Sequence, residues 1–321
     1  MSVFKSAHLS DRSRVLFQRL WQSIQTKRWQ WALGLLSFVL VNGYILYRLA
    51  QDWSSVQSLD WIKPNIGLLV LTSVVQFLSL LLSIYSWTYV VRQFGYQIPF
   101  WQHFKIYTLS NLARKLPGVG WDILARAYLY QKQGGARVHV ISSTVMEIVI
   151  FGISATIVAL LTMLLPGNRL PLVNPMVLLI VLAVFLVLIP SPLFRWFLRW
   201  LNRNHESQPD LRWYHVLNWT ILNTITIALG GVTIYLFFLS LGVIDQQALI
   251  PIIQCWALVV VAGTLLFWLP VDLGITASII VLVLSTMVPM GQALILMLAL
   301  RFWNSLTEIA WGIIGYVLPS K

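Results

Sequence analysis

Residues 109–134 read LSNLARKLPGVGWDILARAYLYQKQG and lie between long apolar runs. Charged residues interrupt this stretch too often for an ordinary membrane span, yet its aromatic and aliphatic residues would be costly to leave in water. Pro117, Gly118 and Gly120 break any helix near the middle, and Asp122 stands where a carboxylate favours the start of a second helix. Broken helices with charges at membrane depth are tolerated only where they line a protein-enclosed cavity. The stretch therefore predicts half of a polar site inside a membrane protein.

The composition of the whole chain is that of a membrane protein. Its 321 residues are 58% hydrophobic and 10% charged, whereas soluble domains carry roughly 25% charged residues. Several apolar runs reach the ~20 residues that cross a bilayer as a helix, and the alternating pattern of a membrane barrel is absent. We predict an all-α, polytopic membrane protein with about eight hydrophobic segments, two broken or re-entrant helix regions and a possible inverted repeat.

The net charge of +12 follows from Lys and Arg between the apolar runs, where they mark cytoplasmic loops. This distribution favours topology, together with attraction to anionic lipid head groups, over nucleic-acid binding. The only cysteine is Cys255, so a disulfide within the chain and a cysteine metal cluster are excluded.

The predicted domain plan has two parts. Residues 1–30 form a basic amphipathic segment on the cytoplasmic face, and residues 31–318 form a single transmembrane domain. Both termini are expected to be cytoplasmic. The predicted hydrophobic segments are residues 29–50, 66–91, 140–165, 176–189, 215–241, 249–269, 274–288 and 292–318. Residues 100–116 and 121–132 form the two arms of a re-entrant pair, and the short segment 274–288 either crosses the membrane or is itself re-entrant.

A second break echoes the first. Pro270 and Gly274 interrupt the apolar sequence before a short helix, much as Pro117 and Gly118 do before residues 121–132. Interrupted segments at corresponding positions of two halves indicate a transporter's binding site. A Leu-Pro-x-Gly sequence is also a common helix junction, so a true repeat and a coincidence both remain open.

Three charged residues lie inside predicted spans: Glu147, Arg301 and Glu308. A charge at the centre of a membrane helix costs roughly 2.5–3.5 kcal/mol on insertion scales, so each needs a partner in the bundle interior. Arg301 and Glu308 share one face of the last helix but are too far apart to pair. One interpretation is an internal ion pair, for example Arg301 with Glu147. The other is that Arg301 binds an anionic group and Glu147 positions it.

The charges near the two breaks also allow two interpretations. Asp122 and Asp272 suit either helix capping or contact with a ligand. Arg114, Lys115 and Arg126 suit either the rule that cytoplasmic loops are positive or a mouth that attracts phosphate.

Catalysis finds little support in the sequence. No HxxxH or HExxH pair, GxSxG turn, Walker loop or DxxD cluster is present. We expect no enzymatic activity, no cofactor and no metal site.

The residues around the first break carry a family resemblance. The run NLARKLPGVGWDILARAYLYQKQGG, followed by a helix with a glutamate, resembles the lysylphosphatidylglycerol synthase transmembrane family, also called flippase-like. The family pattern joins an Asn, a Pro-Gly break, an Arg-Ala pair, a Gly, a later Glu and an Arg in the last helix. The matching residues here are Asn111, Pro117, Gly118, Arg126, Ala127, Gly134, Glu147 and Arg301.

The second break departs from the family pattern. It reads LPVDLGITAS at residues 269–278, where Gly274 matches the last family glycine. The usual glutamate is replaced near Thr276, and Asp272 is the candidate substitute. The usual Asp after Glu147 is also absent.

The resemblance implies a lipid function for residues 31–318 as a flippase-like domain. We expect this domain to bind an anionic lipid or lipid-linked glycan and to translocate it across a bacterial inner membrane. Arg126 and Arg301 would pair with phosphate, and Glu147 would orient Arg301. A glycosyltransferase or lipid-modifying enzyme is the expected protein partner. The alternatives are a non-transporting accessory subunit of such an enzyme and, third, an integral lipid transferase.

Overall fold

The computed structural model describes residue 47 and residues 62–114, 120–165, 174–188, 213–266 and 275–317. Within these ranges the chain forms nine α-helices and one short 3-10 helix, and no strand. The helices, numbered in chain order, are α1 Ile66–Gln93, α2 Phe100–Ala113, α3 Trp121–Gln131, α4 Arg137–Leu164, α5 Pro175–Leu188, α6 Trp213–Ser240, α7 Leu249–Leu265, α8 Ile275–Leu284 and α9 Met290–Val317. The all-α prediction is confirmed.

Five helical segments are long and apolar enough to cross a membrane: α1, α4, α6, α9 and the segment Gln246–Leu265, which contains α7. They coincide with predicted spans to within a few residues, so the polytopic prediction is also confirmed. The predicted first span at residues 29–50 and the amphipathic segment at residues 1–30 lie outside the described residues. The inverted repeat and the division into two parts stay predictions.

Over their described residues, four helices are too short to cross the hydrocarbon layer alone: α2, α3, α8 and α5, which has 14 residues like α2. The 14 residues of α2 rise about 21 Å, the 11 of α3 about 17 Å and the 10 of α8 about 15 Å, against a layer of about 30 Å. The two predicted arms at residues 100–116 and 121–132 therefore exist as α2 and α3. The short predicted segment at residues 274–288 contains only ten helical residues, followed by a turn.

The junctions around the hairpin of α2 and α3 are fixed by specific contacts. Tyr96, in the loop between α1 and α2, donates its hydroxyl hydrogen bond to the carbonyl oxygen of Ala136, just before α4. Burial raises the pKa of Tyr96 to about 12, so this donor stays protonated. A Cβ at Gly135 would collide with the Tyr96 ring. The loop that enters the hairpin is thereby tied to the segment that leaves it.

The described helices pack into a bundle with three buried clusters. The α4 helix packs against α3, α5, α6 and α7, while α1 packs mainly against α6. The last helix, α9, packs against α2 and α8. Three buried clusters result, and the one around Trp87 of α1 and Tyr130 of α3 surrounds the hairpin. The hairpin is thus enclosed by spanning helices on several sides.

Helices α6 and α7 approach each other closely at Gly231 of α6, where a Cβ would lie 2.8 Å from the backbone Cα of Ile253 in α7. Backbone cannot move away cheaply, so Gly231→Ala should destabilise the protein by about 1–3 kcal/mol through overpacking. We would measure thermal unfolding in detergent. Gly263→Ala is the matched control, because nothing lies within 4 Å of a Cβ there. Equal melting temperatures for the two variants would contradict a tight backbone contact at Gly231.

Candidate functional site

A buried ion pair joins the hairpin to the spanning helices. Nη1 of Arg126, on α3, donates to Oε2 of Glu147, on α4, across 2.9 Å, and the two side chains are only 4% and 12% exposed. Nε of Arg126 lies 3.3 Å from the hydroxyl oxygen of Ser110, on α2. Three helices therefore meet at one guanidinium group. Because each charge neutralises the other, the pair can exist away from water.

Two aromatic rings complete the surroundings of Arg126. Its guanidinium carbon lies 4.3 Å from the ring centroid of Trp87 and 4.5 Å from that of Tyr107. A desolvated cation over an aromatic face gains about 2 kcal/mol. Arg126 is therefore committed to partners within the protein.

A hydrogen-bond chain also holds the hairpin to α1, about one helical turn along α3 from Arg126. The indole Nε1 of Trp87 donates to the hydroxyl oxygen of Tyr130 at 2.7 Å, and this hydroxyl is also hydrogen-bonded to Nδ1 of His103. Trp87 lies on α1, His103 on α2 and Tyr130 on α3. All three are fully buried. The hairpin is consequently a fixed element of the bundle at this level.

The open end of the hairpin carries a second ion pair. Nη2 of Arg114, at the end of α2, lies 3.1 Å from Oδ2 of Asp122, in the first turn of α3. Arg114 is half exposed, at 53%, and Asp122 is 20% exposed. The N-cap residue of α3 is Gly120, whose φ of +81° suits glycine. Asp122 therefore does not cap α3; it clips the two arms together across the break.

One face of α9 contacts α8 along its first half and α2 along its second half. In the first half, Leu294, Met297, Leu298 and Arg301 line a small crevice with Ala277 and Val281 of α8. In the second half, a Cβ at Gly312 would collide with Leu112 of α2, and one at Gly315 with Thr108. These α9 positions recur every three or four residues, so they share one face.

Between these two contacts, the same face of α9 carries Arg301, Asn304, Ser305 and Glu308, which we call the α9 polar stretch. It covers about 10 Å of helix rise, near the middle of the span. Since Thr108 lies level with Gly315 and Leu112 with Gly312, the two helices run antiparallel. The turn that carries Glu308 therefore lies beyond the end of α2.

The α9 polar stretch thus lies between the end of α2 and the helix α8. One end adjoins the end of α2, which leads into the first predicted break, and Arg301 adjoins α8, which follows the second. Lys115, Pro117, Gly118, Pro270, Asp272 and Gly274 fall outside the described residues.

Comparison with known families matches residues 19–312 to the family described as the lysylphosphatidylglycerol synthase TM region. The chain belongs to this family. The match includes both predicted breaks and most of α9, and it confirms the resemblance carried by the sequence. No curated protein matches the chain. With its apolar spans, this member of the synthase TM family is a multi-pass membrane protein.

We expected Glu147 to contact Arg301, but in this family member Glu147 pairs with Arg126. The physical reason is the position of α2. Ser110, which contacts Arg126, lies about 160–200° around α2 from Leu112 and Thr108, which contact α9. The helix therefore separates the Arg126 pocket from α9, so Glu147 does not orient Arg301.

Sequence reasoning also missed a polar hub between α1 and α9. Gln76 donates from Nε2 to Oδ1 of Asn304 at 3.3 Å and to the hydroxyl of Thr307 at 2.9 Å. Its Oε1 accepts from Nε1 of Trp303 at 3.1 Å. A Gln and an Asn inside apolar runs were the available signal, because uncharged polar residues in membrane helices seek partners on other helices.

Within the described residues, no three His, Cys, Asp or Glu side chains gather into a group that could hold a metal ion.

The Arg126–Glu147 pair should behave as one unit in mutagenesis. Arg126→Gln or Glu147→Gln alone should lower stability by about 3–5 kcal/mol, because each leaves a buried charge unpaired. The double variant should lose clearly less than the sum of the single variants. We would measure unfolding of all four proteins in the same detergent and complete the double-mutant cycle.

Arg114→Gln and Asp122→Asn provide the matched cycle, because this pair is more exposed. Its members should change stability by at most about 1 kcal/mol. Additive losses at Arg126 and Glu147 would contradict the assignment of a buried, mutually dependent pair.

Proposed function

We propose that the protein binds the charged head group of an anionic lipid or lipid-linked glycan at the α9 polar stretch and carries it across a bacterial inner membrane. The observation that carries this proposal is that the end of α2 and the helix α8, each next in sequence to a predicted break, border one polar stretch in the middle of a span. Charged groups at this depth are costly and mark substrate pathways. Broken helices next to such groups are typical of transporter binding sites.

The chemistry of the bordering groups favours an anion. Arg301 supplies a cation within the α9 polar stretch. The start of α3 at Gly120 supplies backbone N–H groups, and helix N-termini favour phosphate. Arg114 adds a half-exposed cation at the same end of the hairpin. A phosphorylated head group that moved along the α9 polar stretch would meet these groups one after another.

Arg126 and Glu147 have a positioning role in this proposal. Their pair fixes the hairpin against α4 and, through Ser110, orients the end of α2 toward the α9 polar stretch. Phosphate would have to displace Glu147 to reach Arg126. Arg301 is therefore the residue to test first for head-group binding.

The protein would act as a carrier and not as an enzyme. Both termini would be cytoplasmic, in keeping with the basic segments there. A glycosyltransferase or lipid-modifying enzyme that makes the lipid would act beside it. The competing possibility is an accessory subunit, which would bind lipid or a partner without moving lipid.

The test is translocation of head-group-labelled anionic lipids in liposomes that contain the purified protein. Arg301→Gln should lower the rate about tenfold or more, equivalent to at least about 1.4 kcal/mol in the barrier, because the head group loses its cation at mid-membrane. Arg301→Lys should retain part of the rate. The Arg126→Gln/Glu147→Gln double variant should retain more than Arg301→Gln if it folds.

Lys63→Gln is the control for a general loss of positive charge, because Lys63 is exposed in the loop before α1 and lies outside the α9 polar stretch. Unfolding of each variant is measured alongside. Translocation by Arg301→Gln at the wild-type rate would exclude Arg301 as the head-group cation. A wild-type protein that binds anionic lipid but moves none would favour the accessory role.

A further inference from the structure

The contact between α1 and α9 differs from the other contacts of these helices. The close packing of α1 is with α6, and that of α9 is with α2 and α8. Long side chains bridge α1 to α9 instead. They are the Gln76 hub described above and the stacked rings of Phe77 and Trp311, whose centroids lie 4.4 Å apart. We call this contact the α1–α9 seam.

The seam is not sealed. Its side chains are all partly exposed, namely Gln76, Phe77, Trp303, Asn304, Thr307 and Trp311. By contrast, Trp87, three turns along α1, is fully buried. The polar groups of the seam are therefore only partly covered by the protein.

The hydrogen bonds of the seam can be exchanged. Every group in the hub is uncharged, so breaking its bonds exposes no charge to hydrocarbon. Such bonds contribute little net stability, and an incoming hydroxyl or phosphate oxygen can replace them. In addition, the indole N–H of Trp311 is enclosed and has no hydrogen-bond partner in the described part of the chain. The seam thus holds a donor that an oxygen-rich ligand would satisfy.

The seam also adjoins the α9 polar stretch. Asn304 belongs both to the hub and to the α9 polar stretch, and Arg301 lies one turn before it on the same helix. Thr307 and Glu308 are adjacent in sequence. A head group that displaced Gln76 would therefore move directly onto the charged face of α9 without crossing an apolar layer.

We infer that the α1–α9 seam is the lateral opening through which a lipid head group enters and leaves the α9 polar stretch. The hydrogen bonds of Gln76 hold this opening closed. This inference rests on the proposed function and adds the route. The acyl chains stay in the bilayer outside the seam while the head-group oxygens exchange with the Gln76 hydrogen bonds.

The test bridges the seam reversibly. In a Cys255→Ala background, which removes the only cysteine, Gln76→Cys and Thr307→Cys are joined by a short bis-methanethiosulfonate reagent. Translocation of a head-group-labelled anionic phospholipid should fall about tenfold or more on bridging and return on reduction. The partial exposure of both positions gives the reagent access.

The matched control bridges α1 to α6 with Tyr89→Cys and His215→Cys. These residues are also partly exposed and hydrogen-bonded, with 2.8 Å between the Tyr89 hydroxyl oxygen and Nδ1 of His215. This bridge joins closely packed helices, so it should leave translocation unchanged. If the seam bridge also leaves the rate unchanged, the opening lies elsewhere and the proposed function stands. If the wild-type protein moves no anionic lipid, both proposals fail.

Discussion

A bilayer core offers no water to a charged side chain, and this constraint organises the hairpin of α2 and α3. Arg126 must be neutralised where it lies, and Glu147 of α4 does so at 2.9 Å. Trp87 and Tyr107 enclose the guanidinium group, so its position depends on α1 and α2 as well. Groups from α1, α2 and α4 thus meet at one arginine of α3, and these contacts hold the hairpin in position.

The same arrangement gives α2 two different faces. Ser110 and Tyr107 face the Arg126 pocket, while Thr108 and Leu112 fit against the glycines of α9. Glycine allows the two helices to approach closely, and this contact sets the level at which α2 ends beside α9. The α9 polar stretch extends beyond α2, because α2 ends before it reaches Glu308.

The α9 helix therefore combines two kinds of polar group. Charged residues lie on the face that contacts α8 and α2, and the uncharged hub around Gln76 faces α1. A charge at this depth is costly without a partner, whereas an amide can exchange its hydrogen bonds at small cost. The uncharged hub can therefore break its hydrogen bonds at a lower cost than a buried ion pair such as that of Arg126 with Glu147.

The sequence by itself determined the class of the protein, most helix positions, the first break and the family. Apolar length and helix-breaking residues act locally, so they can be read along the chain. The short helices at α3 and α8 follow from the same local signals. The charged residues inside spans were also visible, since charges there are rare.

Only the tertiary structure decided which charges pair. Glu147 meets Arg126 and not Arg301, because Ser110 and Leu112 lie on opposite sides of α2, one toward Arg126 and the other toward α9. The Gln76 hub likewise joins residues more than 220 positions apart. Such pairings follow from how helices pack, and packing depends on whole faces and not on any single motif.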